Sequence, residues 1–139
     1  PGETDSEFKE LCQFVEAARF DHLGAFSYSD EETSASFHLP NKVDRRIIYN
    51  RKRHLMALQR KISRKSRRAM VGGEFEVLVD GPSADTDLLW QARLATQAPE
   101  IDGVCYVNDV EGCPPAPGQR RRFRSTAAHD YDLVGTLLA

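Results

Sequence analysis

The chain of 139 residues is 40% hydrophobic, which is enough for one domain, or two small ones, with a buried core. No segment approaches the roughly eighteen consecutive apolar residues of a membrane-spanning helix, and the first residues have neither the basic start nor the apolar core of a signal peptide. The three cysteines and four histidines show no metal-ligand spacing, which argues against a local zinc motif and favours free thiols in a reducing cytoplasm.

The net charge of −2 hides a strong segregation of charge along the chain. Residues 1–41 carry a net charge of −7, residues 42–70 carry +11, and residues 71–139 carry −6. We therefore expect the middle segment to differ in structure and role from both of its neighbours.

A first amphipathic helix is predicted close to the amino terminus. Thr4 and Glu7 have the spacing of a capping box, and apolar residues follow at helical intervals up to Ala18. Cys12 lies on this apolar stripe, so we interpret it as a small buried side chain rather than a reactive thiol. The opening Pro-Gly-Glu-Thr-Asp lacks an initiating methionine and resembles a turn already in progress, so we expect further sequence before it.

Residues 22–28 are short, apolar and aromatic, and we predict a buried strand there. The polar residues 29–41 that follow are predicted to form a loop. A helix, a strand and another helix in this order are typical of α/β units around a parallel sheet. Asp30, Glu31 and Glu32 in the loop form either a metal or basic-ligand site or a solvated charge run, and we favour the charge run.

Residues 42–70 predict one long basic helix. The segment has twelve Lys or Arg residues against one acid, and Ile48, Leu55 and Ile62 recur every seven residues as an apolar stripe. Such a helix reaches about 40 Å, so we interpret it as a connector that packs on one face and stays solvated on the others. Its charge either binds RNA or neutralises the acidic segments on both sides, and we favour neutralisation.

After residue 73 the hydrophobic pattern changes from helical to alternating. Phe75, Val77 and Val79 point one way and the residues between them point the other, as in a half-buried strand. Further strands are predicted at residues 88–95, 103–108, 119–126 and 131–138. Five short strands with Gly, Pro and Asp at the joints indicate a small antiparallel barrel of the OB-like type.

Three stretches of the chain are similar, in order, to segments of one enzyme family. Residues 1–8, Pro-Gly-Glu-Thr-Asp-Ser-Glu-Phe, resemble the Gly-Phe-Pro-Gly-Glu-Thr-x-x-x-Phe stretch of the radical S-adenosylmethionine methylthiotransferases. Residues 26–33, Phe-Ser-Tyr-Ser-Asp-Glu-Glu-Thr, resemble that family's Tyr-Ser-x-Glu-x-Gly-Thr loop, although the glycine before Thr33 is missing. The strand-rich tail resembles the TRAM domain that closes these enzymes.

The resemblance implies an α/β fold followed by an all-β fold. Residues 1–70 are expected to form the last βα units of a radical-SAM TIM-like barrel together with the long basic helix. Residues 71–139 are expected to form a five-stranded antiparallel OB-like TRAM barrel.

Residues 92–103 and 128–135 are similar to the branch of the family that methylthiolates an aspartate of bacterial small-subunit ribosomal protein twelve. This resemblance implies a cytoplasmic enzyme whose TRAM domain recognises that protein, with possible rRNA contact near it. One alternative is a relative that modifies tRNA adenosines and binds RNA with its TRAM domain, and another is a free-standing binding domain. The charge of −6 on residues 71–139 favours a basic protein over phosphates.

The family's chemistry implies S-adenosylmethionine and two 4Fe-4S clusters, one of them on a Cys-x-x-x-Cys-x-x-Cys loop. This chain contains no such loop, and Cys12, Cys105 and Cys113 match none of the cluster ligands. We therefore assign no catalytic and no metal-binding residue to the chain. We predict that it is inactive without the radical-SAM domain expected upstream.

The resemblance also implies a cofactor-positioning role for the first four residues, Pro1, Gly2, Glu3 and Thr4. They occupy the turn after a barrel strand, where backbone groups and the helix start face the adenosine part of the cofactor. A plain turn with a capping Thr4 is the structural alternative. Phe26 and Tyr28 lie near the barrel mouth and either line the substrate site, for which we select Tyr28, or belong to the core.

The candidates for binding the ribosomal protein are charged and aromatic residues of the segment 71–139, namely Trp90, Arg93, Glu100, Asp102, Asp109 and Glu111. Trp90 is either an exposed hot spot or part of the core. The basic cluster of the tail comprises Arg120, Arg121, Arg122 and Arg124. This cluster either contacts RNA or lies on a solvated edge strand.

Overall fold

The structure, a computed structural model, describes residues 1–84, 86 and 88–139. It divides into two compact units, Pro1–Ile62 and Ser63–Ala139. The first unit contains helix α1 (Asp5–Ala18), a 3-10 helix (Ala35–His38) and most of helix α2 (Arg45–Ala69). The second unit contains the end of α2 and strands β1 (Glu74–Pro82), β2 (Trp90–Leu94), β3 (Cys105–Val110), β4 (Arg120–Ala128) and β5 (Leu133–Leu137).

Helix α1 begins at the predicted capping box. The Thr4 hydroxyl accepts a hydrogen bond from the Glu7 N–H at 3.2 Å, and the Glu7 carboxylate accepts one from the Thr4 N–H at 2.7 Å. The helix ends at Arg19, whose left-handed backbone (φ 52°) lets its N–H bind the Val15 carbonyl. Val15 is fully buried, whereas Cys12, which was predicted to be buried, is only half-buried.

No strand forms at residues 22–28, so the prediction of a buried strand there is wrong. Residues 1–62, all of which the structure describes, contain helices and irregular segments only. A strand persists only when a neighbouring strand shares its backbone hydrogen bonds, and this unit provides no such neighbour among its described residues. Phe26, in the middle of the stretch, is accordingly 98% exposed.

Helix α2 confirms the long basic helix predicted at residues 42–70. Leu55 is buried, as the seven-residue apolar stripe predicts. A second buried row, which the pattern did not predict, contains the polar residues Gln59, Ser63 and Arg67. Gln59 donates to the Phe20 carbonyl at 2.8 Å in the first unit, and Ser63 donates to the Asp130 carbonyl at 2.7 Å in the second. Gln59 and Ser63 therefore satisfy backbone carbonyls of irregular segments, which lack strand partners.

The five strands form a closed barrel in the order β1-β2-β3-β5-β4. All neighbouring pairs are antiparallel except β3 and β5, which are parallel, so the prediction of a purely antiparallel barrel is wrong. The reason is geometric: strands in a closed ring can alternate in direction all the way round only when their number is even. With five strands, one pair must be parallel.

The barrel interior is the hydrophobic core of the second unit. It consists of Val77, Val79, Ala92, Leu94, Cys105, Val107, Phe123, Leu133 and Leu137. Val77 and Val79 are 1% exposed, as the predicted alternation of β1 requires. The register shifts within β1, β3 and β4, which is the local irregularity that lets a small sheet bend and close.

In the described part of the chain, neither α1 nor α2 is long and apolar enough to cross a membrane.

Candidate functional site

A cleft of about 350 Å³ in the first unit brings together several residues singled out from the sequence. Its lining includes Pro1, Glu3, Phe26 and Tyr28. Gly2 and Thr4 are not among its lining residues. The structure therefore places two of the four predicted cofactor residues in one cleft with the predicted substrate residue Tyr28.

Gly2 and Thr4 shape the segment that borders the cleft. Gly2 has a φ of +81°, which favours glycine, and its N–H donates to the Asn41 carbonyl at 2.8 Å. Both the N–H and the hydroxyl of Thr4 lie 2.7 Å from the Glu7 carboxylate. The Thr4 N–H, by hydrogen bonding, lowers the pKa of Glu7, so this carboxylate is ionised at neutral pH and caps the helix.

Arg51 of α2 also lines the cleft, and the sequence analysis did not select it. Its guanidinium lies 2.6 Å from the Glu3 carboxylate and 2.7 Å from the Asp5 carboxylate. It also lies 5.4 Å from the centre of the Phe8 ring. The hydrogen bond to Asp5 raises the pKa of Arg51 despite the opposing effect of desolvation, and Glu3 adds to the rise. A fixed positive charge is therefore built into the wall of the cleft.

Tyr28 is held by a polar cluster in the loop that precedes α2. Its hydroxyl lies 2.8 Å from the Asp30 carboxylate and 3.0 Å from the Ser36 hydroxyl. Lys42 donates to Asp30 at 2.6 Å and to the Ser36 carbonyl at 2.7 Å, and its ammonium lies 5.5 Å from the centre of the Tyr28 ring. The hydrogen bond from Lys42, followed by that from Tyr28, lowers the pKa of Asp30. Asp30 is therefore a charged anchor that orients Tyr28.

Two residues of the acidic run that contains Asp30 are engaged by neighbouring side chains. Glu31 accepts a hydrogen bond from the Ser29 hydroxyl at 2.6 Å, whereas Asp30 binds Lys42. Among the residues that the structure describes, no group of three or more His, Cys, Asp or Glu side chains is placed to hold a metal ion.

Trp90 and Arg93 occupy opposite faces of β2. Trp90 shares its face with the buried Ala92 and packs, half-buried, against the barrel core. Arg93 points outward and forms an ion pair with Asp80 at 2.7 Å. Trp90 is therefore mainly a core residue, whereas the face of Arg93 is available on the barrel surface.

The β2–β3 loop carries Glu100 and Asp102. Buried Gln97 fixes this loop because its side chain accepts from the Leu94 N–H at 2.8 Å and donates to the Gly103 carbonyl. Asp102 accepts from the Ala98 N–H at 2.8 Å, so it supports the loop from within. Glu100 at the tip is exposed, with a φ of +62°.

Asp109 and Glu111 lie at the far end of β3 from that loop. Asp109 accepts from the Val110 N–H at 2.9 Å, and Glu111 lies 3.7 Å from Arg124. A six-residue strand separates the two acidic pairs by about 20 Å. The structure therefore does not gather the predicted acids of the tail into one patch.

The basic cluster of β4 divides into two kinds of arginine. Arg120, Arg122 and Arg124 alternate on the outer face, next to Glu74 and Glu76 of β1 at 3.0 to 3.6 Å. Arg121 points elsewhere. Its guanidinium donates to the backbone carbonyls of Leu138, Cys113 and Glu111 at 2.6, 3.0 and 2.9 Å. Arg121 is thus engaged in holding the chain terminus and the β3–β4 loop.

Comparison with known proteins identifies the second unit first. Residues 71–138 match the family model of the TRAM domain, so the closed barrel is a TRAM domain. The chain as a whole is 65% identical to the ribosomal protein uS12 methylthiotransferase RimO of Solibacter usitatus, over 100% of this chain and 30% of that relative. The RimO proteins of Koribacter versatilis and Sorangium cellulosum are 54% and 52% identical, each over 99% of this chain and 28% of the relative.

The chain belongs to the methylthiotransferase family that these relatives represent. It spans about 30% of the length of the curated relatives it matches.

Proposed function

We propose that this chain is the carboxy-terminal part of a methylthiotransferase that adds a methylthio group to an aspartate of bacterial ribosomal protein uS12. In this proposal residues 1–70 complete a radical-SAM barrel, together with a domain that precedes them, and residues 71–139 recognise the substrate protein in the cytoplasm. The observation that carries the proposal is 65% identity, over every residue of the chain, to a relative named for this reaction.

The cleft of the first unit suits part of S-adenosylmethionine. Its volume of about 350 Å³ lies in the range of small-molecule sites, and its lining combines the aromatic residues Phe26 and Tyr28 with Pro1 and Glu3. When bound, S-adenosylmethionine supplies the radical chemistry of such enzymes. In the proposal, Pro1 and Glu3 position the cofactor, Gly2 and Thr4 set the backbone around them, and Tyr28 faces the substrate.

The iron–sulfur clusters do not fit the cysteines of this chain. Cys105 is buried in the barrel core, where burial raises its pKa to about 12, and a cluster ligand must be a thiolate. Cys12 lies on α1 and Cys113 in the β3–β4 loop, far from one another in sequence. We therefore propose that the two 4Fe-4S clusters bind outside this chain and that the isolated chain has no turnover.

Recognition of uS12 is assigned to the outer surface of the TRAM barrel. The exposed tip of the β2–β3 loop presents Glu100 beside Ile101, which is 83% exposed, and Asp102 holds that tip in shape. A charge next to an exposed apolar side chain suits a basic protein partner. Asp109 and Glu111 form a second acidic contact at the other end of β3. Arg93 lies on the outer face of β2, paired with Asp80 of β1, and Trp90 packs on the opposite, core-facing side of β2.

Titration of the chain with uS12 and, separately, with tRNA over a salt series tests the proposal. We expect saturable binding to uS12 that Glu100→Lys and Ile101→Asp weaken about tenfold or more, since hot-spot losses commonly exceed that. Glu10→Lys, an exposed change on α1, is the matched control and is expected to leave binding unchanged.

The alternative function, tRNA-adenosine methylthiotransfer with an RNA-binding TRAM domain, predicts a different result. The chain would then bind tRNA rather than uS12, with a steep salt dependence that Arg120→Gln and Arg122→Gln reduce. The pairing of these arginines with Glu74 and Glu76 supports the protein partner, because it lowers the positive potential of that face.

A further inference from the structure

One face of helix α2 combines exposed arginines with an exposed aromatic ring. We call it the basic helix face and define it by Arg45, Arg46, Tyr49 and Arg53, which all lie in the first unit. All four side chains are exposed, and Tyr49 is 58% exposed. Tyr49 is therefore a large aromatic side chain that is exposed within the described chain.

Helical geometry places these side chains next to one another. Arg45, Tyr49 and Arg53 are spaced four residues apart, so they form one row in which neighbours are about 6 Å apart. Arg46 lies in the adjacent row. The Arg53 guanidinium lies 5.6 Å from the centre of the Tyr49 ring, a cation–π contact that holds both groups on the surface.

No ion pair among the residues that the structure describes neutralises the positive charge of this face. None of the carboxylates that the structure describes lies within 4.0 Å of the charged atoms of Arg45, Arg46 or Arg53. Arg51, on another face of the same helix, forms ion pairs with the carboxylates of Glu3 and Asp5. The described carboxylates therefore provide no neutralisation at the basic helix face, although the sequence analysis favoured neutralisation of α2 by the acidic segments.

An aromatic ring between guanidinium groups matches the chemistry of single-stranded RNA. Arginine donates charge-assisted hydrogen bonds to phosphate oxygens, and an exposed tyrosine provides a flat surface on which an unpaired base stacks. An acidic peptide would engage the arginines but would leave the ring without a partner. We propose that the basic helix face binds single-stranded RNA, with the arginines on phosphates and an unpaired base on Tyr49. This inference goes beyond the proposed function, which requires no nucleic acid.

Fluorescence anisotropy with a labelled single-stranded oligouridylate, titrated with the 139-residue chain at several salt concentrations, tests this inference. Each phosphate contact on a single strand contributes about −0.7 to the slope of log K against log salt. We expect Arg46→Gln and Arg53→Gln each to make the slope shallower by about that amount. We expect Tyr49→Ala to weaken binding about tenfold with the slope unchanged, and Tyr49→Phe to bind like the parent chain.

Two matched controls locate the contact. Lys9→Gln on α1 and Arg122→Gln on β4 each remove one exposed positive charge from another surface, and both are expected to leave affinity and slope unchanged. Circular dichroism melting of every variant verifies that the helix is intact.

Several results would overturn the inference. One is a failure to bind the oligouridylate even at low salt, and another is equally effective competition by polyglutamate, which has charge but no bases. A loss of binding with Arg122→Gln but not with Arg46→Gln would place RNA on the barrel instead. Unchanged affinity of the Tyr49→Ala variant for the oligouridylate would show that no base stacks on Tyr49. The uS12 titration measures binding to a different partner. Failure of the proposed function can therefore be distinguished from failure of the RNA proposal.

Discussion

The Arg51 guanidinium lies 2.7 Å from the carboxylate of Asp5, a residue 46 positions earlier in the chain. It also donates to the Glu3 carbonyl at 3.0 Å, and the Phe8 ring lies beside it. A single side chain of α2 therefore joins the amino-terminal turn, the start of α1 and the wall of the cleft. The ion pair of Arg51 with Glu3 therefore forms part of the cleft wall.

We expect Arg51→Gln to lower the melting temperature and to loosen residues 3–8, because glutamine has neither the charge nor the two-armed reach of arginine. Hydrogen exchange of the Phe8 amide, which donates to the Thr4 carbonyl at 3.1 Å, should become faster. Arg46→Gln, on the exposed side of the same helix, is the control. Equal exchange rates in the two variants would show that Arg51 does not hold this segment.

Gly135 of β5 lies where two strands come close together. It pairs with Val107 of β3 and with Ser125 of β4, and a Cβ atom at this position would collide with the Arg124 carbonyl oxygen. We expect Gly135→Ala to lower the free energy of unfolding by about 1–3 kcal/mol, measured by urea denaturation, because the backbone must shift. Gly24→Ala, where no heavy atom lies within 4 Å of the added carbon, should be close to neutral. A stable Gly135→Ala barrel would contradict the close approach.

Local pattern was enough to predict most elements of this fold. Both long helices and all five strands overlap the predicted ranges, because capping, helical period and alternation are properties of neighbouring residues. The parallel pairing of β3 with β5 is not a local property, since it follows from ring closure with five strands. The failure at residues 22–28 has the same origin, because an apolar aromatic stretch becomes a strand only beside a partner strand.

The candidate site was less predictable than the fold. Pro1, Glu3 and Tyr28 were selected through a family resemblance rather than through a local sequence pattern. The structure places all three in the lining of one cleft. The sequence analysis did not select Arg51, because it is one of many basic residues in the helix predicted at residues 42–70. A signal was present, since Arg51 lies between Ile48 and Leu55 on the packed side of the helix, where an arginine needs a partner.

The three cysteines should differ in reactivity. Cys113 is exposed, Cys12 is half-buried with a pKa raised by burial and by nearby Glu16 and Glu3, and burial raises the pKa of Cys105 to about 12. Because the thiolate is the reactive form, we expect a maleimide to label Cys113 first, Cys12 more slowly, and Cys105 only on unfolding. Mass spectrometry of timed samples measures the order, with Cys113→Ser as the control. Rapid labelling of Cys105 in the folded chain would contradict its place in the core.

The raised pKa of Cys105 predicts that the folded chain loses stability in alkaline solution. The folded pKa of Cys105, about 12, is higher than the value of about 8.5 for an unfolded chain, so only the unfolded state loses the proton between these values. The contribution of Cys105 to the free energy of unfolding is therefore complete below pH of about 8.5. It is lost as pH rises toward 12. Urea denaturation over this range should show a shallower decline for Cys105→Ala than for the parent chain, whatever the variant's starting stability. Parallel declines would mean that the thiol is not protected by burial.

Arg121 is the arginine of β4 whose replacement should matter most for stability. Its guanidinium donates to the carbonyls of Leu138, Cys113 and Glu111, and a lysine has no planar fork with which to bind all three. We expect Arg121→Lys to cost about 1–3 kcal/mol and to speed amide exchange at Leu138, because the partly buried Leu138 carbonyl loses its guanidinium donors. Arg122→Lys is the matched control, since the Arg122 side chain is 66% exposed and its nearest carboxylate is 3.6 Å away. Equal stability of the two variants would mean that the donors of Arg121 are replaced by water, and the arginine would then be available for an external partner.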